Sequence, residues 1–301
     1  MSKNFGLIFK ALKKICATTS KNVSLATLSS FKIGGTAKVV VEPSSVEEII
    51  RVFDYLNTHK IKHFVVGNCT NLLFDDSVYA GVIVKISSKF GCVEFRGTTV
   101  VADAGVSLSG LAVLACQRGL GGLEDAFGIP GTLGGAVTMN AGAFGFKMEQ
   151  LVTSVLAIVN GKITLLSGAE CKFGYRQSVF KGSDAIILRV ELKLKKSRKV
   201  DLENRRAETN AKRLLSQPIG QASAGSIFKN PDGISVAKLI EEQGLKGFAI
   251  GGAMVSTKHS NFIVNTGHAS SQDVLRLVEH IKNVILKKYN ITLETEIIHV
   301  T

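Results

Sequence analysis

The chain has 301 residues, 45% of them hydrophobic and 20% charged, which is enough for two globular domains and too apolar for a disordered protein. Thirty glycines against 4 prolines, with no triplet period, exclude a collagen-like polymer and assign the glycines to turns and close backbone approaches. A net charge of +13 favours anionic partners, whether nucleic acid, acidic lipid or phosphorylated small molecules.

The longest apolar runs, such as 155–159, fall far short of the roughly 18 residues of a membrane span. Residues 1–21 carry five lysines and no acid, but their apolar stretch is broken at Lys10, which argues against a secretory leader and for a cytoplasmic chain. Five widely spaced cysteines without a Cys-x-x-Cys pair read as reduced thiols rather than a disulfide framework or zinc site, and no metal is expected. Between Lys193 and Arg213 stand nine basic and three acidic residues without an aromatic for base stacking; a solvated linker and helix face is favoured over a nucleic-acid groove.

In chain order, a strand is predicted at 38–41, then a helix over 45–59. The helix opens on the Ser45 and Glu48 capping pair and carries Val46, Ile49, Ile50, Phe53 and Leu56 on one face. Strands at 63–66 and 82–86 complete a βαβ unit within the first 90 residues. A helix over 107–117 follows, capped by Ser107 and stopped by Gly119. Strands are expected at 152–159, 163–166 and 188–195, the last from the alternation of Leu188, Val190, Leu192 and Leu194 with charged neighbours. An abrupt rise in charge after Lys196 sets the expected domain boundary, with a helix over 202–215 opening the second domain. That domain continues with a helix at 235–243, a strand at 261–264, a long amphipathic helix over 271–289 and a closing strand over 291–300. On the closing strand Glu294 and Glu296, two apart, share a face.

Residues 105–145 hold 11 of the 30 glycines, a density that helix or strand would not tolerate at ~1 kcal/mol per interior Gly. Three stretches suit contact with a phosphate, because backbone N–H groups without intervening side chains form anion-binding concavities. They are Phe31-Lys32-Ile33-Gly34-Gly35, Val66-Gly67-Asn68-Cys69-Thr70-Asn71 and Gly128-Ile129-Pro130-Gly131-Thr132-Leu133-Gly134-Gly135-Ala136. Taken singly, each reads first as a tight turn. Neither Gly-x-Gly-x-x-Gly nor the Walker pattern occurs, which disfavours the ordinary dinucleotide and triphosphate folds and implies a different nucleotide fold.

Together, the runs 31–35, 66–72 and 128–145, Gly174-Tyr175-Arg176-Gln177-Ser178, Gly225-Ser226-Ile227-Phe228-Lys229-Asn230-Pro231 and Leu293-Glu294-Thr295-Glu296 resemble the UDP-N-acetylenolpyruvoylglucosamine reductase (MurB) family. They stand in the family's order over nearly the whole chain, whose length matches the shorter type II branch. The resemblance implies an α+β protein. Its FAD-binding domain would be two-lobed, of the vanillyl-alcohol oxidase (PCMH) type, over 1–196, with lobes of about 1–88 and 89–196. A smaller α+β substrate-binding domain over 197–301 would return a catalytic Glu on its last strand.

The resemblance also implies FAD as cofactor, NADPH as co-substrate and UDP-N-acetylglucosamine enolpyruvate as substrate, reduced to UDP-N-acetylmuramate for peptidoglycan. A monomer with no nucleic-acid partner is expected, and the short apolar runs give no integral membrane segment. FAD is then expected at Phe31, Ile33 and Gly34; at Gly67, Asn68, Cys69, Thr70 and Asn71; at Ile129, Pro130, Gly131, Thr132, Gly134 and Gly135; and at Asn140 and Gly142. Tyr175, Lys229 and Asn230 match substrate-binding positions, and Arg176, Ser226 and Glu296 the catalytic ones.

The residue types suit that chemistry. Reducing an enolpyruvyl group pushes charge onto its carboxylate, which the permanently charged planar guanidinium of Arg176 can hold. The neighbouring carbon then needs a proton from a fixed donor, matching Ser226, with Lys229 supplying a favourable field. Glu296 would work with Arg176, as an acid or by orienting a water. Without the resemblance, the same residues read as a surface arginine, a turn serine and exposed carboxylates. Cys69 and Thr70 stand where the family has Gly and Ser, and a Cβ at 69 narrows the approach of a pyrophosphate. Two rivals stay open: another flavin enzyme of this fold with a different substrate, and a catalytically silent UDP-sugar or nucleic-acid binder, which the charge also suits. The basic segment 3–14, with Phe5, Leu7, Ile8, Phe9 and Leu12, is expected to dock on the protein's own body rather than on a membrane.

Overall fold

The computed structural model describes residues 4–231 and 233–301, so that Lys3 of the basic segment lies outside them. The chain forms two compact units. The first takes residues up to 21, 39–68 and 81–212; the second takes 22–38, 69–80 and 213–301. The expected boundary at 196 is thereby replaced by one at 212/213, and two segments from the N-terminal half join the second unit. The cause lies in the Lys199–Ser216 helix: Leu202 is buried and Arg205 pairs with Asp125 at 2.9 Å, which holds the helix's first turns on the first unit.

In the first unit the Val46–Thr58 helix starts as its sequence requires. Ser45 Oγ accepts the Glu48 N–H at 3.1 Å, while the Glu48 carboxylate accepts the Ser44 N–H at 2.7 Å, one residue earlier than in a reciprocal capping box. Its Ile49, Val52, Phe53 and Leu56 join Val39, Val41, Val82 and Val84 in one core. These last come from a four-stranded sheet ordered Thr19–Ser24, Thr36–Val41, Tyr79–Lys85, His63–Val66, the final pair parallel. A Phe5–Ile15 helix, capped by Asn4, lays Ile8 and Leu12 into the same core, so the basic segment docks on the protein itself. A five-stranded antiparallel sheet, ordered Lys162–Ser167, Val152–Val159, Ile186–Lys193, Thr99–Asp103, Val93–Arg96, buries Leu188, Val190 and Leu192 by alternation. The Leu108–Gln117 helix shares that core and begins where Ser107 accepts the Gly110 N–H.

In the second unit, Ser223–Ser226, Phe262–Asn265, Ala253–Val255 and Ala249–Ile250 form an antiparallel sheet in that order. Ile240 of the Val236–Glu242 helix and Val274, Leu277 and Ile281 of the Ser271–Tyr289 helix share its core. The long helix opens on a capping box between Ser270 and Asp273, whose carboxylate also accepts the Gly252 N–H and pairs with Arg276. The Ser270 N–H above all, then Arg276 and Gly252, hold this carboxyl well below its ordinary 3.8, against the opposing effect of burial. Such a group contributes stability above its unfolded pKa and loses it as pH falls through the folded value. Denaturation midpoints are therefore expected to drop below about pH 4, and Asp273→Asn is expected to flatten that dependence while costing about 1–3 kcal/mol at neutral pH. An unchanged pH slope in the variant would contradict the assignment.

The closing strand is shorter than expected. Only Ile298–Val300 is a strand, parallel to Leu72–Phe74, and residues 291–297 make a single bridge, Thr295 to Phe228. Its backbone changes partners as it goes: Glu294 O accepts from Lys229, Glu296 N–H donates to Ile227, and Ile298 N–H donates to Asn71. No regular ladder survives that change. Among the described residues, no helix is long and apolar enough to cross a membrane, and no group of three His, Cys, Asp or Glu is placed to hold a metal ion.

Candidate active site

Two of the glycine stretches meet in the first unit. A Cβ on Gly67 would lie 2.3 Å from Thr132 Oγ1, so these turns abut only because residue 67 has no side chain. The second turn is held by bonds from Leu108 N–H to Gly131 O, Leu133 N–H to Val106 O and Gly134 N–H to Ala104 O, at 3.2, 2.7 and 2.9 Å. The Gly131 and Thr132 amides, by contrast, donate to no acceptor among the described residues, although Thr132 is only 2% exposed. A buried amide left so costs about 1–3 kcal/mol, and a phosphate oxygen seated there removes that cost. The residues present thus fit the pyrophosphate expected at this turn.

Arg176 sits in the same unit, in the two-bonded turn formed by Gly174 and Gln177. Its φ of +55° is left-handed, which costs a non-glycine residue about 1–2 kcal/mol. Three bonds tie this turn to the glycine run: Asn140 Nδ2 to Gly174 O at 2.9 Å, Arg176 Nη2 to Gly142 O at 3.0 Å and Ser178 Oγ to Thr138 O at 2.7 Å. Residues 138, 140 and 142 thus hold 178, 174 and 176. The guanidinium carbon lies 5.2 Å from the centre of the Tyr175 ring, within cation–π range, and Lys181 Nζ donates to Arg176 O at 3.1 Å. The half-buried Arg176 is over-determined by neighbours, which is how a strained functional backbone persists.

Ser226 and Glu296 belong to the second unit. Ser223 and Ser226 pair with Val264 and Phe262, so the strand carries one residue more than its partner, and Gly225 in this bulge has φ +77°. A bulge of this kind re-aims the side chain beside it. Glu296 N–H donates to Ile227 O at 2.7 Å and Lys229 N–H to Glu294 O at 2.9 Å, bringing Ser226 and Glu296 onto neighbouring strips. Asn71 Nδ2 donates to Glu296 O at 3.1 Å, so an expected cofactor residue and an expected catalytic residue are adjacent. Lys229 Nζ lies 2.8 Å from Glu294 Oε2, which separates the two carboxylates that their spacing left equivalent. Cys69, buried at φ +51°, accepts the Ser30 N–H through its carbonyl, and Ser30 Oγ donates to Ser223 O at 2.7 Å.

Other expected residues serve the scaffold. Phe31 and Ile33 are 0% and 2% exposed and pack with Leu73 and Phe228, so their side chains are core rather than ligand contacts. Gly34 and Gly35 answer to packing: a Cβ would meet Phe74 Cβ at 2.7 Å or Ser77 O at 2.0 Å. Asn140, 2% exposed, spends its amide on Gly174 and Glu149. Asn230 Oδ1 accepts the Val236 N–H at 3.0 Å. Glu149, which pins Asn140, carried no local signal in the sequence, because its partners lie in other turns.

Residues 217–300 match the family model described as the C-terminal domain of UDP-N-acetylenolpyruvoylglucosamine reductase, and residues 37–164 match an FAD binding domain. A UDP-N-acetylenolpyruvoylglucosamine reductase of Caldanaerobacter subterraneus subsp. tengcongensis is 45% identical over 270 residues, 89% of each chain. Another, from Carboxydothermus hydrogenoformans, is 41% identical over 287 residues, 95% of each. The crystal structure of the reductase from Thermus caldophilus superposes with a TM-score of 0.82 at 34% identity, covering 93% of this chain and 98% of that one. An alkyldihydroxyacetonephosphate synthase, with TM-score 0.50 at 16% identity over 64% of this chain and 41% of its own, shares the fold alone. The anticipated fold class holds, and by identity and coverage the chain belongs to the UDP-N-acetylenolpyruvoylglucosamine reductase family of FAD-dependent oxidoreductases.

Proposed function

We propose that the chain reduces UDP-N-acetylglucosamine enolpyruvate to UDP-N-acetylmuramate with electrons from NADPH, in peptidoglycan precursor synthesis. The observation that carries this reading is the 2.7 Å bond from Glu296 N–H to Ile227 O, beside Ser226. The Gly67–Asn68 turn and the Gly131 and Thr132 amides would hold the FAD pyrophosphate; when bound, the flavin supplies a two-electron relay between nicotinamide and alkene. Arg176 holds the enolpyruvyl carboxylate and balances the charge that grows on it. The bond to Gly142 and the tight turn aim the guanidinium before substrate arrives. Ser226 holds the proton destined for the carbon next to that carboxylate, and Lys229 favours the alkoxide left behind. Glu296 assists at the carboxylate by holding a proton or orienting a water. Tyr175 adds a substrate contact, and the +13 charge favours the arrival of three anionic ligands.

Incubation of the holoenzyme with NADPH and the enolpyruvyl nucleotide is expected to yield a product heavier by two hydrogens, with lactyl signals in its NMR spectrum. NADPH consumption without that product would contradict the substrate assignment. The cradle has its own test. Gly67→Ala is expected to press on Thr132 and weaken FAD binding by about 1–3 kcal/mol, read from the flavin absorbance of purified protein and from titration of the apo-protein. Parent-like affinity would refute the close approach as the reason for that glycine.

A further inference from the structure

Asn261 is 4% exposed and spends both ends of its carboxamide on one residue. Its Oδ1 accepts the Phe228 N–H at 3.0 Å and its Nδ2 donates to Phe228 O at 2.9 Å, while its own carbonyl accepts the Ile227 N–H at 2.8 Å. A planar amide has the donor and acceptor spacing of a peptide group. Asn261 therefore continues the sheet where the ladder between Ser223–Ser226 and Phe262–Asn265 ends.

The opposite edge of the same segment is closed by Glu296 N–H on Ile227 O and by Glu294 O on Lys229 N–H. Five backbone groups just after Ser226 are thus bonded, three of them by Asn261. The residue just before Ser226 is Gly225, left-handed and without a Cβ to restrict it. The aim of Ser226 is consequently fixed from its C-terminal side.

We propose that Asn261 is a positioning residue for Ser226, holding Ile227 and Phe228 so that the serine hydroxyl stays on the line of proton delivery; this rests on the role given to Ser226 above. The chemistry selects asparagine. Leucine fills the volume with no bond, leaving both Phe228 groups buried and unbonded. Aspartate keeps the bond from Phe228 N–H and sets a carboxylate oxygen against Phe228 O. A displacement near 1 Å at a reacting group can cost about 10²-fold in rate.

The test compares FAD-loaded parent, Asn261→Leu and Asn261→Asp, each alone and with Ser226→Ala, in anaerobic stopped flow. Bleaching of the flavin by NADPH is expected to stay within about twofold of the parent, and reoxidation by the enolpyruvyl nucleotide to slow by about 10–10²-fold. In the Ser226→Ala background the Asn261 change should add almost nothing, since the two act as one unit. Hydrogen exchange supplies a readout apart from turnover: the Phe228 amide, which loses its acceptor in Asn261→Leu and keeps one in Asn261→Asp, should exchange faster in Asn261→Leu and by a smaller factor in Asn261→Asp, where the bond to Phe228 O is lost. Equal slowing of both half-reactions, a full additive loss on top of Ser226→Ala, or unchanged exchange would each overturn the positioning role. Parent-rate reoxidation in Ser226→Ala alone would instead overturn the reading of Ser226. If Asn261→Leu does not fold, Asn261→Asp, which loses one bond rather than two, carries the same comparisons.

Discussion

Ser226→Ala is expected to leave NADPH bleaching of the flavin at the parent rate and to slow reoxidation by the enolpyruvyl nucleotide by about 10²–10⁴-fold, the usual worth of a positioned proton donor. The asymmetry follows from where the hydroxyl acts: no proton from Ser226 is needed when the nicotinamide is oxidised. A serine hydroxyl is a weak acid, so its use requires a strongly basic carbon and nearby cations; Lys229, three residues on, is held at 2.8 Å by Glu294. The substitution removes one oxygen from a bulge whose backbone is set by Gly225 and Asn261, so folding should be preserved. Equal loss in both half-reactions would point to a damaged fold instead. Parent-rate reoxidation would remove Ser226 from the mechanism.

Arg176→Met is expected to lower the rate of reoxidation by about 10²–10³-fold, the range measured when a donor to developing negative charge is deleted. Methionine keeps an unbranched apolar stem and the left-handed backbone strain, so that strain is unchanged in the comparison. Arg176→Lys restores charge without the planar fork and should recover only part of the loss. Because the carboxylate is bound before reaction and gains charge during it, both KM and kcat should suffer. A rise in KM with kcat intact would reduce Arg176 to a binding residue and contradict its catalytic role.

What could be read from sequence was what local bonding decides. Ser45, Ser107 and Ser235 each accept an amide three residues on, and such caps are visible because both partners lie in one short window. The Ser271–Tyr289 helix follows its apolar period to the last turn. The glycine pair at 34 and 35 read as a phosphate loop, and the packing reason for it, Phe74 and Ser77 some forty residues away, had no local signal. Asn140 had the residue type of a ligand contact, and its bracing of Gly174, 34 residues on, was not legible locally. The composition change at Lys196 marked a real helix start, yet Leu202 and the Arg205–Asp125 pair keep that helix on the first unit. The site residues were legible through family resemblance, since nothing in one stretch of chain announces that Glu296 will bond beside Ser226. Asn261 carried no signal, because its partners lie 33 residues away.

The most direct test of the account is an anaerobic titration of the yellow holoenzyme. NADPH should bleach the flavin and the enolpyruvyl nucleotide alone should restore its absorbance, with UDP-N-acetylmuramate as product in equal amount. Flavin that NADPH does not bleach, or that regains colour with no lactyl product, would contradict the reductase that Arg176, Ser226 and Glu296 are proposed to form.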